Sequence, residues 1–148
     1  MRIREYRNSD YAVLAEALQA EDLFSYEYDS EEKLEEKARR RSGFVLVAES
    51  EDGSFIGSIG GLLREGEGDE RPSIFRLVVL PGQRKKGVGS ALLKEAEKRL
   101  GDLGADSLEI FIDSENQELK NWYLKRGYKE EGTKDVGKIT HCVLRKFL

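Results

Sequence analysis

The stretch that decides the predicted fold is Leu77-Val-Val-Leu-Pro-Gly-Gln-Arg-Lys-Lys-Gly-Val-Gly-Ser90. Its first residues are apolar and β-branched, as in a strand, and the residues that follow it up to Leu100 are typical of a helix. The turn between them contains Gly87 and Gly89, which allow a left-handed backbone and a close approach of a ligand to the main chain. The stretch therefore predicts a strand, a glycine turn and a helix in direct succession.

A phosphate site is expected at the start of that helix. The first amides of a helix have no intrahelical partner, and the helix dipole places partial positive charge there. Three basic residues, Arg84, Lys85 and Lys86, add positive charge beside the turn. Because a strand, a glycine turn and a helix N-terminus together form a phosphate-binding arrangement, we expect a ligand with a phosphate or pyrophosphate group.

The turn differs from two common nucleotide-binding loops. It lacks the Gly-Lys-Ser/Thr ending that binds magnesium and the γ-phosphate, and it lacks the first glycine of a dinucleotide-binding turn. Its pattern, Arg84-x-x-Gly87-x-Gly89 directly after Val-x-Pro, resembles the acetyl-CoA pyrophosphate loop of the GNAT family (Gcn5-related N-acetyltransferases). On these residues alone, a helix start with incidental glycines remains an alternative.

Composition narrows the class of protein. A chain of 148 residues is expected to form a single domain over residues 1–148.

The sequence also argues against several classes of partner. No apolar run approaches the roughly 18–20 residues of a membrane-spanning helix, and the N-terminal residues do not resemble a signal peptide, so no membrane association is expected. The net charge of −4 argues against a nucleic-acid partner. The single cysteine, Cys142, fits a reducing cytoplasm, and the single histidine, His141, has no Cys or His cluster around it, so no metal is expected.

The order of predicted elements supports the same resemblance. Strands are predicted over residues 2–6, 43–49, 55–63, 74–80, 106–113, 128–132 and 138–147, with turns at Asp52-Gly53 and over residues 64–71. Helices are predicted after the N-cap candidates Asn8–Asp10 to about residue 21, from 31 to about 41, from the glycine turn to 100, and over 116–126. This β-α-α-β-β-β-α-β-α-β-β order is that of the GNAT fold. It implies an α/β (mixed α+β) structure with a mixed, mostly antiparallel sheet of six to seven strands and helices on both faces.

A second motif lies at the spacing that the family uses. GNAT enzymes commonly carry Asn, then Tyr seven residues later, then Gly-Phe; here Asn116, Tyr123, Gly127 and Tyr128 take these places. The resemblance implies acetyl-CoA as cosubstrate. Its implied contacts are the main chain of Leu77, Val78 and Val79, the loop residues Arg84, Lys85, Lys86, Gly87, Val88, Gly89 and Ser90, and the side chains of Asn116 and Tyr123.

Three of these residues have assigned roles. In the family, the strand before the loop bulges and one of its amides reaches the thioester carbonyl, which is the role implied for an amide near Val79. Tyr123 is implied to donate to the departing CoA thiolate, although Leu119, Trp122 and Tyr123 also form a helical apolar stripe that predicts core packing. Asn116 contacts the pantetheine arm in the family and is equally well suited to cap a helix.

The acceptor side is less well defined. The connection between the first two helices walls the acceptor site in this family, and here it carries Phe24, Tyr26, Glu27, Tyr28 and Asp29, an aromatic and acidic set suited to a cationic amine or to an exposed loop. The resemblance does not assign the general base, because Phe111 occupies the position at which some family members have Glu. Candidates are Glu109, Asp113, and Glu27 or Asp29 acting through water.

The resulting functional prediction is acetyl transfer from acetyl-CoA to a primary amine of a small molecule or protein, by direct attack in a ternary complex. The alternative is a non-catalytic acyl-CoA-binding sensor or interaction module that keeps the phosphate loop without the chemistry. Family members are often dimers, so the resemblance is compatible with a homodimer.

Overall fold

The computed structural model describes residues 1–63 and 71–148, and the bounds of its elements are as follows. The strands are β1 (Arg2–Glu5), β2 (Gly43–Glu49), β3 (Phe55–Leu62), β4 (Ser73–Val79), β5 (Ser107–Asp113), β6 (Lys129–Val136) and β7 (Ile139–Phe147). The helices are α1 (Tyr11–Ala20), α2 (Tyr26–Asp29), α3 (Glu31–Arg39), α4 (Val88–Asp102) and α5 (Gln117–Leu124). Short 3-10 turns at Asn8–Asp10 and Pro81–Gln83 precede α1 and the glycine turn.

The strands form one seven-stranded sheet in the order β1-β2-β3-β4-β5-β7-β6. In that order β4 and β5 are parallel and the other neighbours are antiparallel. The mixed, mostly antiparallel sheet predicted from the sequence is therefore confirmed.

Helices cover both faces of the sheet, also as predicted. On one face α4 packs its apolar stripe, Val88, Leu92, Leu93, Ala96 and Leu100, against the strands and is joined by Tyr123 of α5. On the other face Leu14 and Leu18 of α1 and Leu34 of α3 pack against a second set of strand residues that includes Val45 and Val47. Successive strand residues point to opposite faces, so β2 can supply both apolar layers.

Two elements differ from the sequence prediction. The single-turn helix α2 lies inside the connection between the first two predicted helices, where no helix was predicted because four residues are too few for an apolar period to show. Strand β6 continues to Val136 although its side chains over residues 129–135 are exposed, since its backbone pairs with β7 and a bulge at Glu131 accommodates the extra residue. The turn predicted over residues 64–71 lies, except for Arg71, outside the described residues.

A buried ion pair fixes the start of α1 to the edge strand. Arg4 donates from Nη1 and Nη2 to the two oxygens of Asp10 at 2.9 and 2.8 Å, and the Arg7 amide donates to Asp10 at 2.7 Å. Burial alone would raise the pKa of Asp10, but the hydrogen bonds from Arg4 and Arg7 outweigh it and hold that pKa below its usual value.

We expect Asp10→Asn to lower the free energy of unfolding by about 2–3 kcal/mol at pH 7, because Arg4 loses one of its two carboxylate partners and keeps only Glu49, to which it donates at 2.7 Å. Since the folded pKa of Asp10 is lowered, its stabilising contribution is complete above the unfolded pKa, near 3.9, and is lost as the pH falls through the folded value. Urea unfolding of both proteins at pH 7 and at a series of acid pH values should show the difference shrinking below about pH 4. A difference independent of pH would contradict this assignment.

Candidate functional site

A cleft forms where β4 and β5 separate. Ser73 of β4 is in register with Glu109 of β5, and the Glu109 amide donates to the Pro72 carbonyl at 2.9 Å. Among the described residues, this is the only registered pair between the two strands. Beyond it the strands diverge around a cleft of about 120 Å³, lined by residues 74–77 of β4 and 110–112 of β5, together with Leu23, Leu119 and Tyr123. Main-chain groups of β4 on this side are therefore available to a ligand instead of a strand.

One wall of the cleft contains a β-bulge. Ser58 of β3 pairs with Val78, and Gly60 pairs with Phe75, so two steps on β3 correspond to three steps on β4. The extra residue is at Arg76 and Leu77, and Arg76 has a φ of +52°. A side chain in this left-handed region costs about 1–2 kcal/mol, so surrounding contacts must hold it there. The bulge thus includes Leu77 of the predicted stretch Leu77–Val79 and precedes Val79, which is in register with Gly57.

Arg76 is bonded to a carboxylate on α2. Its Nε and Nη2 donate to the two oxygens of Asp29 at 3.2 and 3.1 Å, and the Ser25 amide donates to the same carboxylate at 2.8 Å. Asp29 has no exposed surface. Asp29 was predicted to line the acceptor site, but here its charge is compensated by Arg76 beneath the surface.

The other predicted acceptor residues are divided between surface and core. Tyr26 and Tyr28 are 80% and 54% exposed, and Glu27 is exposed beside them. Phe24 is half-buried and packs against the apolar layer formed with α1 and α3. Of this set, the structure leaves Tyr26, Glu27 and Tyr28 accessible to an acceptor.

The start of α4 has the geometry of an anion site. Gly87 has a φ of +84°, which glycine adopts without strain, and its carbonyl accepts from the Ala91 amide at 3.0 Å. The amides of Val88, Gly89 and Ser90 precede that first helical hydrogen bond and therefore have no intrahelical partner.

The three basic residues of the turn differ in their contacts. Lys85 and Lys86 are exposed beside these amides, whereas Arg84 donates from Nε to the Val79 carbonyl at 3.1 Å and pairs with Glu21. In this state Arg84 links the turn to β4 and to the end of α1.

Sequence analysis did not identify Arg126, which adds positive charge at this helix start. Its Nη2 and Nε donate to Ser90 Oγ at 2.9 and 3.2 Å, and its guanidinium lies 3.7 Å from the centroid of the Trp122 ring. The residue directly precedes Gly127 in the second motif, but no periodicity or spacing in the sequence links it to Ser90. That contact depends on how α5 packs against α4.

Tyr123 lines the cleft from α5. It is 5% exposed and makes edge-to-face contacts with Trp122 and Tyr128, at centroid distances of 4.8 and 5.4 Å. Burial raises its pKa far above the usual value for a phenol; the charge of Arg126 opposes this change and that of Glu97 adds to it. The hydroxyl therefore stays protonated and is suited to donating a hydrogen bond. Tyr123 therefore packs in the core and also lines the cleft, while its predicted role toward the CoA thiolate stays a prediction.

The structure places Asn116 and Glu109 away from the centre of the cleft. Asn116 caps α5, accepting at Oδ1 from the Leu119 amide at 3.1 Å. Glu109 lies at the closed end, where the strands still pair, with an oxygen 4.0 Å from Arg71 Nη1. The described lining of the cleft includes neither side chain.

A larger, shallower depression of about 610 Å³ lies elsewhere, between the C-terminal ends of α3 and α4. Its charged lining includes Arg39, Lys98 and Arg99, which pair with carboxylates of their own or neighbouring elements. None of the residues singled out from the sequence lies there. In the part of the chain that the structure describes, no cluster of three His, Cys, Asp or Glu side chains is arranged for a metal ion, and no helix is long and apolar enough to span a bilayer.

Comparison with known families decides the assignment. Residues 5–128 match the model of the acetyltransferase (GNAT) family. The chain belongs to this family. The resemblance inferred from the two motifs is thereby confirmed, and with it the general class of acetyltransferase.

Solved structures of GNAT proteins share the fold. One is the PaiA N-acetyltransferase of Thermoplasma acidophilum in complex with coenzyme A, with a TM-score of 0.80, 23% identity, and coverage of 99% of this chain and 98% of that one. Another is the ribosomal-protein-alanine N-acetyltransferase of Brucella melitensis, with a TM-score of 0.78, 23% identity and full coverage of both chains. An aminoglycoside 6'-N-acetyltransferase complexed with coenzyme A has a TM-score of 0.77 at 19% identity, covering 99% of this chain and 97% of that one.

Proposed function

We propose that this GNAT protein transfers the acetyl group of acetyl-CoA to a primary amine of a small molecule or a protein, by direct attack in a ternary complex. The observation that carries the proposal is the cleft between β4 and β5. It has a bulged strand on one wall and the Tyr123 side chain on another. Coenzyme A in two of the solved relatives supports acetyl-CoA as the donor.

In this proposal the pyrophosphate binds at the start of α4. The amides of Val88, Gly89 and Ser90 would donate to it, with Lys85 and Lys86 supplying charge and Arg126 reinforcing the site through Ser90. The pantetheine arm would then run along the side of β4 that faces β5, where the described residues beyond Ser73 have no partner from β5.

The acyl transfer step breaks the thioester C–S bond and forms an amide C–N bond. As the amine attacks, the carbonyl oxygen becomes an oxyanion, which the Leu77 amide of the bulge would stabilise by hydrogen bonding. Collapse of the tetrahedral intermediate expels the CoA thiolate. Tyr123 would donate a hydrogen bond to that thiolate, while the amine releases its proton to solvent or to a base.

The amine must lose its proton before it can attack the thioester. At pH 7, deprotonating an amine of pKa about 10.4 costs about 4.6 kcal/mol, whereas an amine of pKa near 8 costs about 1.4 kcal/mol. The described lining of the cleft contains no carboxylate, and Asp29 is already paired with Arg76. This arrangement favours acceptors of low amine pKa, and Glu27 remains a candidate contact for an acceptor that carries a second positive charge.

The proposed activity is tested by thiol release from acetyl-CoA with a panel of amines. The panel contains polyamines, aminoglycosides, free amino acids, and peptides with either a free N-terminus or an internal lysine. We expect release with one class, and faster release as the pH rises toward the pKa of that amine. Calorimetric binding of acetyl-CoA without release with any member would favour the sensing module, and absence of binding would reject the proposal.

Two further points belong to the proposal. The sheet draws on strands from Arg2 to Phe147, which supports one catalytic domain over residues 1–148. A cytoplasmic location suits an acetyl-CoA-dependent enzyme with a single buried free cysteine, Cys142.

A further inference from the structure

Arg76 is the one charged residue within β4, and it lies where that strand bulges. We propose that the Arg76–Asp29 pair is a positioning device that holds the bulge of β4 so that its main-chain amides face the thioester carbonyl of acetyl-CoA. This inference rests on the proposed function. It assigns Arg76 and Asp29 to the acyl-transfer step without requiring either side chain to touch the reacting atoms.

The geometry of the pair suits this role. A planar guanidinium that donates two hydrogen bonds to one carboxylate is fixed in direction as well as in distance. The carboxylate is itself immobile, because Asp29 has no exposed surface and also accepts from the Ser25 amide. Since a buried carboxylate is strongly unfavourable without its partners, α2 and the bulge are held together as a unit.

A second set of contacts holds the residue before Arg76. The Phe75 ring lies on Gly60 of the neighbouring strand, where a Cβ would come within 2.2 Å of it. Lys37 of α3 lies with Nζ 5.1 Å from the centroid of the same ring and donates to the Tyr28 carbonyl at 2.7 Å. The bulge is therefore held from β3 and α3 as well as from α2. Of these contacts, the bidentate hydrogen bond to Asp29 is the one made by Arg76, the residue with the left-handed backbone.

Correct placement of the bulge matters because oxyanion stabilisation depends on distance. Amide donors are effective when they lie about 2.7–3.1 Å from the position that the oxyanion will occupy. A misplacement of about 1 Å can cost roughly 100-fold in rate. The binding of the pyrophosphate, in contrast, depends on the start of α4, which the Arg76–Asp29 pair does not contact.

The informative substitution is Arg76→Lys. Lysine keeps the positive charge, so the charge of the buried Asp29 remains compensated. A lysine side chain, however, cannot make the bidentate hydrogen bond to Asp29. We expect kcat to fall by about 10- to 100-fold, with the dissociation constant of CoA changed by less than about threefold. Asp29→Asn, which keeps the shape of the side chain, should lower kcat in the same way.

The matched control is Arg4→Lys. Arg4 makes a similar bidentate bond to the buried Asp10 and a further bond to Glu49, but it lies in β1, three strands from β4 and on the order of 14 Å away. This change should lower thermal stability while leaving kcat unchanged. A loss of kcat in Arg76→Lys that exceeds that in Arg4→Lys, at temperatures where both are folded, would separate positioning from general destabilisation.

A second measurement needs no acceptor. In the NMR spectrum of the wild type, the signal of the Leu77 amide should shift differently on addition of acetyl-CoA and of CoA, because only acetyl-CoA carries the carbonyl. That difference should be lost in Arg76→Lys and kept in Arg4→Lys. A wild-type kcat, or a wild-type shift difference, in folded Arg76→Lys would overturn the inference and leave the proposed function standing. Failure of the wild type to bind acetyl-CoA would overturn both.

Discussion

Replacing Tyr123 by phenylalanine is expected to lower kcat by about 10- to 100-fold, with little change in the KM for acetyl-CoA. A hydrogen bond to a charged group is worth about 1.5–3 kcal/mol, which corresponds to this range when the charge develops only as the thiolate leaves. The packing of the ring is kept in phenylalanine, so the loss should be confined to the hydroxyl. Steady-state kinetics with the acceptor found in the amine panel measure the effect.

The pH dependence should follow the raised pKa of Tyr123. Burial keeps the hydroxyl protonated, so no loss of kcat from ionisation of this residue is expected up to about pH 10. The raised pKa also makes full proton transfer to a thiolate less favourable than for a free phenol, which supports hydrogen-bond donation as the role of the hydroxyl.

Tyr128→Phe is a matched control for this substitution. Tyr128 belongs to the same aromatic cluster, but its hydroxyl donates to Glu97 of α4 at 2.8 Å instead of facing the cleft. This variant should lose about 1–3 kcal/mol of stability, because Glu97 loses a buried donor, and keep its kcat. Equal kcat values for Tyr123→Phe and the wild type would reduce Tyr123 to a packing role.

Replacing Gly87 by valine is expected to weaken acetyl-CoA binding by about 100- to 10,000-fold. A β-branched residue is strained at a φ of +84°, so the turn should relax and direct the first amides of α4 away from the pyrophosphate. Losing two such hydrogen bonds, at roughly 1.5–3 kcal/mol each, accounts for the range. Calorimetric titration with acetyl-CoA measures the effect directly.

Gly53 provides a close control for Gly87. It has a φ of +86° in the β2–β3 hairpin, and an added Cβ would meet nothing within 4 Å at either position. Gly53→Val should therefore introduce similar backbone strain and a similar loss of thermal stability without changing the affinity for acetyl-CoA. Comparable losses of affinity in both variants would show that strain alone, and not the phosphate site, is responsible.

Much of this protein was determined by its sequence alone. The alternation of apolar runs, turn residues and helix caps predicted the order of the elements. The loop from Arg84 to Gly89 and the spacing from Asn116 to Tyr128 predicted the GNAT family. These features depend on local backbone preferences and on short separations along the chain, which a sequence displays directly.

Other features were decided only by the tertiary structure. The sequence suggested Asp29 as an exposed acidic contact, but the fold buries it against Arg76, 47 residues further along the chain. It also gave no reason to associate Arg126 with Ser90, and it gave no sign that the bulge begins at Arg76, one residue before the predicted stretch Leu77–Val79. A charged residue inside an otherwise apolar strand was the available signal for Arg76, yet that signal could not name the partner. The physical reason is that burial and pairing of charges depend on which distant elements pack together, and no local pattern encodes that choice.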